Sequence, residues 1–223
     1  MNKLEQAIGY EFRDIGLLNH ASTHSSYINE HQLNKEDCNE RLEFLGDSIL
    51  EMVTSDYLYH AYPKTMEGEL SKLRASIVCE RALAKSAREI GLGEFLILGK
   101  GMELGGGRES DAITSDAFEA VLAALYLDGG LEEAKKLIDA HVLNHIEERL
   151  LFSDSKTSLQ EILQEQGKQV RYELISESGP DHDKSFTVAA YVGDTLMGTG
   201  TGHNKKQAEQ NAAYETINKI RNT

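Results

Sequence analysis

The chain has 223 residues, of which 40% are hydrophobic, 19 are glycine and 2 are proline. This length and composition exclude a collagen-like or intrinsically disordered chain and allow one or two hydrophobic cores. The formal net charge of −14 means that bound cations or a local basic patch must be present before the protein can approach a polyanion.

The cysteines and the hydrophobic runs indicate the compartment. Cys38 and Cys79 lie within helical patterns and form no disulfide framework, which is typical of a reducing environment. No charged segment followed by an apolar segment opens the chain, and no apolar run reaches the roughly 18 residues of a membrane-spanning helix. We therefore expect a soluble, cytoplasmic protein that does not associate with membranes.

The N-terminal segment predicts two short amphipathic helices, over residues 4–8 and 15–22. His20 and His24 are four residues apart, a spacing that suits either two metal ligands or two hydrogen-bonding side chains on one helix face. His141 and His145 repeat this spacing later in the chain. We favour hydrogen bonding or packing for both pairs, because neither pair has the further ligands that a closed zinc site needs.

Residues 38–50 predict a helix with two opposed faces that continues until Pro63. At about 100° per residue, the apolar side chains fall on one stripe: Leu42, Leu45, Ile49, Met52 and Val53. Glu40, Glu43 and Asp47 fall on the other side, where like charges destabilise a helix. This second face is either a solvated acidic surface or a cation site, because hard divalent ions prefer clustered carboxylate oxygens.

Residues 110–127 predict a second helix with an acidic face. Asp116 and Glu119 lie opposite its apolar side, and alanines flank them, so that another helix can approach closely. If the two helices face one another, four carboxylates converge: Glu43, Asp47, Asp116 and Glu119. These groups would repel one another without metal, whereas one or two Mg²⁺ ions would make them a site for phosphodiester hydrolysis.

The segments between and after these helices predict further helices and a loop. One helix is expected to open at residue 66, and another covers residues 81–90 and ends at Gly91. Residues 99–107 contain five glycines, but no strand precedes them and the pattern Gly-x-x-x-x-Gly-Lys-Ser/Thr is absent, which excludes a nucleotide-binding loop. We expect a mobile surface loop there, and a last helix of this part over residues 131–150.

The chain changes character near residue 151. Residues 1–154 hold 15 basic and 28 acidic residues, whereas residues 155–223 hold 8 and 9, so the acidity belongs almost entirely to the first part. After a helix over residues 156–166, alternating β-branched patterns predict three strands, which begin at residues 170, 185 and 195. A helix over residues 204–220 ends the chain.

Three motifs make the chain resemble known families. The run Asn39-Glu40-Arg41-Leu42-Glu43-Phe44-Leu45-Gly46-Asp47-Ser48 closely resembles the signature of the ribonuclease III family, and Asp116-Ala117-Phe118-Glu119-Ala120 resembles its second acidic motif. The C-terminal order αβββα, with Gly198-Thr199-Gly200 before the last helix, resembles the double-stranded-RNA-binding domain. Cys38 stands where many relatives carry His. Asn204 stands where Ser is usual, but Asn is an equally good helix N-cap.

The resemblance covers nearly the whole chain and implies an α+β multidomain protein. A helical endonuclease domain over residues 1–150 would be followed by a linker at 151–155 and an αβββα double-stranded-RNA-binding domain over 156–223. The protein would be a homodimer that cuts both strands of double-stranded RNA, leaving 5′-phosphate and 3′-hydroxyl ends, in processing of rRNA and other structured transcripts. The resemblance places Phe44 at the subunit interface, and core packing is the alternative.

The resemblance also implies the site residues. Four carboxylates would bind Mg²⁺, with Mn²⁺ as a substitute: Glu43, Asp47, Asp116 and Glu119. Asp47 and Glu119 would be catalytic, and Glu40 and Glu67 are outer-shell candidates. For Glu67, an acid favoured by a helix N-terminus is an equally good explanation. Glu51 lies on the same face as Asp47 but outside the family signature, so it is not included.

The residues expected to bind RNA come from three parts of the C-terminal domain. They are Thr157, Gln160 and Glu161 in its first helix, Pro180 and His182 in a loop, and Asn204, Lys205 and Lys206 at the start of its last helix. Such domains read the shape, phosphates and 2′-hydroxyls of A-form RNA, and lysines beside free backbone N–H groups can clamp a phosphate. For the two lysines alone, a solvated helix end is the alternative.

Two other functions are weighed against endonuclease activity. A catalytically inactive relative could bind duplex RNA as a scaffold or regulator, but the four intact carboxylates argue against it. A metal-dependent hydrolase of small phosphoesters would have no use for the C-terminal domain. Incubation with long duplex RNA and Mg²⁺ would distinguish the three.

Overall fold

The computed structural model describes residues 1–146, 155–179 and 184–221. The chain forms two compact units, Met1–Ile146 and Glu147–Thr223. Residues 151–154 of the expected linker lie outside the described residues, whereas Ser155 is fully buried and begins the first helix of the second unit. In the described parts of the chain, none of the helices combines the length and the apolar character that a membrane crossing requires.

The described residues of the first unit are helical, without an extended sheet. The α-helices are α1 Lys3–Ile8, α2 Ile15–Ala21, α3 Ser25–His31, α4 Glu40–Ala61, α5 Glu67–Ile77, α6 Glu80–Glu89, α7 Lys100–Leu104, α8 Asp111–Gly129 and α9 Leu131–His141. Short 3-10 turns cover Lys35–Asp37, Leu92–Phe95, Gly107–Glu109 and Leu143–His145. The two acidic helices predicted from the sequence are α4 and α8.

Helix α8 is the centre of the first unit. Its apolar and small side chains are inaccessible to solvent on almost every side: Ala117, Phe118, Ala120, Val121, Leu122, Ala123, Ala124 and Leu125. A helix that is apolar nearly all round must be enclosed by other helices, and α2, α4, α6 and α9 surround it. Asp128, near its end, accepts hydrogen bonds from the backbone N–H groups of Arg13 (2.8 Å) and Asp14 (3.0 Å) and from the Tyr10 hydroxyl (2.8 Å).

Helices α4 and α8 make their closest approach at Gly46. A β-carbon built on Gly46 would lie 1.8 Å from the backbone oxygen of Glu119, so no larger residue fits there without moving one helix. Ridges of side chains normally keep helix axes 8–10 Å apart or more, and a glycine removes that ridge. The glycine within the signature run therefore lets the two acidic helices meet directly.

Helix α5 is packed much less tightly than α8. Of its 11 residues, Ile77 alone is buried, and Glu67 and Met66 at its start are exposed. Polar contacts therefore contribute more to its attachment. Arg74 donates a hydrogen bond from Nη1 to the Ser55 hydroxyl of α4 at 2.9 Å.

Three expectations from the sequence need correction. Residues 99–107 are not simply a loop: they contain α7, and the Gly99 and Lys100 N–H groups donate to Ser26 Oγ (3.0 Å) and Glu30 Oε2 (2.6 Å). Helix α9 ends at His141 and a 3-10 turn follows at Leu143–His145, so an uninterrupted helix from residue 131 is wrong; residues 147–150 of that expectation lie outside the described residues. Met52, assigned to the apolar stripe of α4, is 49% exposed.

The second unit has the expected order αβββα. It consists of α10 Ser155–Glu165, β1 Val170–Ser178, β2 Ser185–Val192, β3 Thr195–Gly202 and α11 Lys205–Arg221. The strands form an antiparallel sheet in the order β1-β2-β3, with Tyr172 opposite Ala190 and Ala190 opposite Gly198. Both helices pack on one core with the sheet. Gly200 is needed for this contact, because its β-carbon would lie 2.2 Å from the Ala212 nitrogen of α11.

Candidate active site

The predicted carboxylates of α4 and α8 come together in the folded protein. Glu43 and Asp47 lie one helical turn apart on α4, and Asp116 and Glu119 lie one turn apart on α8. Three of the four are half-buried, and Asp47 is exposed. Because Gly46 abuts the backbone of Glu119, the acids of both helices face the same small region.

The pKa values record how closely these charges approach. Burial raises the pKa of Glu119 to about 8, and the negative charges of Asp47, Asp116, Glu43 and Glu51 add to the increase. Burial also raises the pKa of Glu43, with contributions from Asp116, Glu40 and Asp47. Burial and neighbouring negative charges disfavour the ionised form of these carboxyl groups. The site therefore has more negative charge, when all four groups are ionised, than it can stabilise alone.

Basic side chains among the described residues compensate the four carboxylates little: burial raises the pKa of Asp116, and the charge of His24 opposes that rise only in part. In the described parts of the chain, no Lys, Arg or His forms an ion pair with Glu43, Asp47, Asp116 or Glu119. The same parts contain no group of three His, Cys, Asp or Glu side chains gathered tightly enough to hold an ion by themselves. The carboxylates therefore influence one another electrostatically without forming a closed cage for an ion.

The outer-shell candidates differ in their positions. Glu40 is exposed at the start of α4, and its charge acts on Glu43 and on His24. Glu67 is exposed on the first turn of α5, where its Oε1 accepts a hydrogen bond from the Ser71 hydroxyl at 2.9 Å. The structure thus brings Glu40 to the carboxylates, whereas the described contact of Glu67 is within its own helix.

Two acidic residues near the site were not predicted. Burial raises the pKa of Asp116, and the negative charge of Glu80, the first residue of α6, raises it further. Glu51 acts on Glu119, although it lies outside the family signature and was not included for that reason. The i,i+4 spacing of Glu51 from Asp47 was a usable signal. Nothing in the sequence connects Glu80 with Asp116, since only the packing of α6 against α8 brings them together.

The N-terminal histidines hold the start of α4. The His20 Nε2 and the Cys38 carbonyl oxygen are 2.9 Å apart, and the Asn39 N–H donates to the Thr23 carbonyl at 2.8 Å. His24 Nδ1 accepts from the Ser26 N–H at 3.1 Å and caps α3. Burial lowers the pKa of His24, and Asp116 and Glu40 oppose that shift. Both histidines of this pair thus make the hydrogen bonds that were expected of them.

The second histidine pair is described in part. His141 Nδ1 lies 3.3 Å from Glu89 Oε2 on α6, a contact between two helices of the first unit. The side chain of His145 lies outside the described residues.

An exposed apolar face lies beside the carboxylates on α4. Phe44 is 77% exposed, Met52 49% and Tyr59 69%, and the three fall within an arc of about 80° on a helix that turns 100° per residue. Core packing of Phe44 within one protomer is therefore wrong. Large apolar side chains aligned on one face commonly mark a surface that another molecule covers.

In the second unit, the predicted RNA-binding residues lie on the surface. Thr157, Gln160 and Glu161 are exposed on one face of α10. Asn204 caps α11 as predicted, since its Oδ1 accepts from the Gln207 N–H at 2.9 Å. Pro180 and His182 lie outside the described residues.

The two lysines at the start of α11 are both exposed. The Lys205 Nζ lies 6.0 Å from the centre of the Phe186 ring, within the range of a cation–π contact. Both lysines lie in the first turn of α11, at the end of the helix that attracts anions.

Comparisons with known proteins agree with this geometry. Residues 14–146 match a family model described as ribonuclease-III-like, and residues 155–220 match one described as a double-stranded RNA binding motif. The nuclease domain of ribonuclease III from Campylobacter jejuni is 44% identical and superimposes with a TM-score of 0.59, covering 64% of this chain and 96% of that one. The structure of that domain was described with reference to flexibility in a region involved in dimer formation.

Curated relatives match over almost the full length. Ribonuclease 3 of Caldanaerobacter subterraneus subsp. tengcongensis is 50% identical over 222 residues, which cover 97% of this chain and 96% of the relative. Ribonuclease 3 of Pelotomaculum thermopropionicum is 49% identical over 220 residues, with 97% and 91% covered. Ribonuclease 3 of Bacillus cereus is 44% identical over 220 residues, with 97% and 90% covered. With the family models matched over both units, the chain belongs to the ribonuclease III family.

Proposed function

We propose that this protein is an Mg²⁺-dependent endoribonuclease that hydrolyses both strands of double-stranded RNA. The single observation that carries the proposal is the site around Glu119, where α4 and α8 bring uncompensated carboxylates together in a chain that also has a duplex-RNA-binding unit. An inactive RNA-binding scaffold would gain nothing from the mutual repulsion of these acids. Nothing in the structure or the relatives favours that alternative.

The chemistry of the site fits a divalent cation. Its donors are carboxylate oxygens, the ligands that Mg²⁺ prefers. Burial and the neighbouring negative charges raise the pKa values of Glu119, Glu43 and Asp116, and a cation would relieve that repulsion. A site that is not a closed cage suits Mg²⁺ in particular, because this ion keeps several waters and takes few direct protein ligands. Mn²⁺ has similar preferences. When bound, such an ion supplies an activated water and stabilises charge on the scissile phosphate and the leaving 3′-oxygen.

Each acidic residue has a proposed role. Glu43, Asp47, Asp116 and Glu119 bind the metal. Asp47 and Glu119 act at the reacting atoms. Glu40 and Glu67 orient waters or ligands at the rim. Glu67 would do so from the first turn of α5, a helix whose single buried residue is Ile77.

The exposed face of α4 supports a homodimer. We propose that Phe44 and Met52 meet the same face of a second copy, since an isologous contact uses one patch twice. The two-fold axis of such a dimer matches the pseudo-symmetry of an RNA duplex. One active site would then cut each strand, leaving 5′-phosphate and 3′-hydroxyl ends with a short 3′ overhang.

The second unit would hold the substrate. Thr157, Gln160 and Glu161 on α10 would face one minor groove. The loop with Pro180 and His182 would reach the next groove. Lys205 and Lys206, on the helix that Asn204 caps, would contact phosphates between them. This unit is nearly neutral, with 8 basic and 9 acidic residues in 155–223. The acidity of the first unit therefore does not prevent the second unit from approaching RNA.

The cellular role and the division of labour follow from these assignments. The protein would process rRNA and other structured transcripts in the cytoplasm. Residues 1–150 would form the endonuclease domain, residues 151–155 the linker and residues 156–223 the RNA-binding domain.

The test is cleavage of a long RNA duplex by the purified full-length protein. Mg²⁺ or Mn²⁺ should support cleavage of both strands into short duplexes with 5′-phosphates, whereas Ca²⁺, which is larger and less strict in geometry, should support binding with little cutting. Binding without cleavage in Mg²⁺ would establish the scaffold instead. Robust cleavage in excess EDTA would exclude the metal assignment.

A further inference from the structure

Glu51 is the acid that differs from the others around the site. It follows Asp47 by one turn on the same face of α4, and its charge acts on Glu119. Among the ion pairs of the described residues, it alone of the acids acting on Glu119 has a cationic partner, Arg74 of α5. The site therefore has a fifth carboxylate at its edge, and a cation holds that carboxylate.

The position of Arg74 is set by two contacts. Its Nη2 lies 3.9 Å from Glu51 Oε1, and its Nη1 donates to the Ser55 hydroxyl at 2.9 Å. The Ser55 hydroxyl in turn donates to the Glu51 carbonyl oxygen at 2.6 Å. The side chains of Arg74 and Glu51 are 35% and 45% exposed. The guanidinium thus lies beside Glu51 and Ser55 rather than beside the ligands proposed above.

We propose that Arg74 is a positioning residue that holds Glu51 out of the metal site and cancels its charge there. This inference rests on the proposed function, because it concerns the metal bound by Glu43, Asp47, Asp116 and Glu119. It assigns to α5 a task in the site that does not depend on Glu67.

The physical reason lies in the preferences of Mg²⁺. This ion needs near-ideal octahedral geometry and keeps several waters, one of which must remain free to attack the phosphate. A fifth carboxylate close by would compete with water for a coordination position. It would also make the site more negative, so that the ion bound more tightly but in a less reactive arrangement. Arg74 prevents both effects by drawing the Glu51 carboxylate towards α5.

The experiment is a charge cycle read by direct metal binding to the full-length, metal-free protein. The variants Arg74→Gln, Glu51→Gln and the double variant are titrated with Mg²⁺ and Mn²⁺ by calorimetry. Arg74→Gln should tighten binding and Glu51→Gln should weaken it, each by about threefold or more from the change of one unit charge near a divalent ion. The double variant has the wild-type net charge and should return to within about twofold of wild type.

Cleavage is the second readout. At saturating Mg²⁺, Arg74→Gln should cut duplex RNA at least about tenfold more slowly, as expected when a reactive geometry is disturbed. Adding Glu51→Gln should restore the rate, because the competing carboxylate is gone. If the double variant is as slow as Arg74→Gln, Arg74 does not act through Glu51 and the proposal is overturned.

Two further variants separate charge from docking. Arg74→Lys keeps the charge but loses the fork that reaches Ser55, and Ser55→Ala keeps the ion pair but loses the hydrogen bond. Both should bind metal like wild type, even if they lower the thermal unfolding temperature. Weaker metal binding in Ser55→Ala, in step with its loss of stability, would mean that Arg74 merely attaches α5, which overturns the proposal.

The result also distinguishes this inference from the proposed function. If the wild type binds Mg²⁺ and Glu119→Gln does not, the metal site is supported. An unchanged Mg²⁺ affinity in Arg74→Gln would then overturn only the role proposed for Arg74. If the wild type binds no Mg²⁺ in the absence or presence of duplex RNA, the metal site itself fails. Lower RNA affinity with unchanged metal binding in Arg74→Gln would identify an RNA contact instead and overturn the proposal.

Discussion

The backbone oxygen of Glu119 occupies the place where Gly46 would carry a side chain, because a β-carbon there would lie only 1.8 Å away. The separation of the two acidic helices, and with it the spacing of the four carboxylates, is therefore set by a residue that has no side chain. A carbonyl oxygen cannot turn aside as a flexible side chain can. Any change at Gly46 must move α4 or α8.

Gly46→Ala should lower both stability and activity. Overpacking of this kind costs about 1–3 kcal/mol of unfolding free energy, and a displacement near 1 Å in the site reduces the cleavage rate by about a hundredfold. Thermal unfolding and cleavage at saturating Mg²⁺ measure the two effects. Gly101→Ala on α7 is the control, because nothing lies within 4 Å of its β-carbon. Equal behaviour of the two variants would show that the close approach is unimportant.

Glu119→Gln should separate cleavage from binding. The amide keeps the shape but is a much poorer Mg²⁺ ligand than a carboxylate, so we expect cleavage to fall by orders of magnitude. Duplex affinity measured in Ca²⁺ should change little, because binding rests mainly on the second unit. Asp56→Asn is the matched control on α4, where the Asp56 side chain is 63% exposed and paired with His60. Full activity of Glu119→Gln would remove this residue from the metal site.

The metal-free protein should lose stability as the pH rises. The pKa of Glu119 in the folded protein is about 8, above its ordinary value of 4.5, so the folded state holds a proton that the unfolded state releases between those values. Since stability falls with pH wherever the folded state binds more protons, Glu119 destabilises the protein progressively over this window.

The measurement is the thermal unfolding temperature in EDTA from pH 5.5 to 8.5, for wild type and for Glu119→Gln. The comparison is needed because His24, whose pKa is lowered, contributes with the opposite sign below its ordinary value of 6.5. The advantage of Glu119→Gln over wild type should grow with pH. A constant difference would contradict the shifted pKa.

Phe44→Asp should convert the dimer into monomers. A buried interface aromatic commonly contributes about 2 kcal/mol or more, and a carboxylate in its place would also have to be desolvated. Sedimentation at micromolar concentration measures the change, and double-strand cleavage should fall with it. Leu104→Asp, at a position that is 90% exposed on α7, is the control and should remain dimeric. A dimeric Phe44→Asp protein would place the interface elsewhere.

Lys205→Ala with Lys206→Ala should weaken RNA binding for all duplex sequences alike. Each lost phosphate contact should flatten the slope of log K against log salt by about 0.7–0.9, values established with DNA. Lys219, which pairs with Glu215 at 2.8 Å near the other end of the same helix, provides the control Lys219→Ala. An unchanged slope in the double variant would exclude both lysines from the interface.

The sequence was informative where local pattern and burial coincide. Helix α8 and strand β2 were predicted because the apolar residues that mark them in the sequence, such as Phe118 and Val188, are the ones that they bury. Residues 99–107 were misread because five glycines indicate a loop, whereas the contacts that fold α7 come from Ser26 and Glu30, some 70 positions earlier. Met52 was misread because, at 100° per residue, it falls at the edge of the apolar stripe, where its side chain is 49% exposed.

The part of the candidate site that could be predicted from the sequence is the set of residues that belong to the two acidic motifs. The spacing of Glu43, Asp47, Asp116 and Glu119 predicted a convergence that the helix packing produces. The electrostatic effect of Glu80 on Asp116 and the ion pair of Arg74 with Glu51 could not be anticipated. Each depends on how two separate helices pack against one another. Local spacing contains no information about such crossings.

Helices α8 and α5 differ in how easily they unfold locally, because they are packed unequally. The free energy of local opening rises with the buried surface that must be exposed. Helix α8 is enclosed by four helices and tied at Asp128, so it opens with the whole unit, whereas α5 has Ile77 as its single buried residue. Local opening of α5 then leaves Asp116 and Glu119 in their places. A mobile edge and a fixed centre of the site are thus assigned to separate helices.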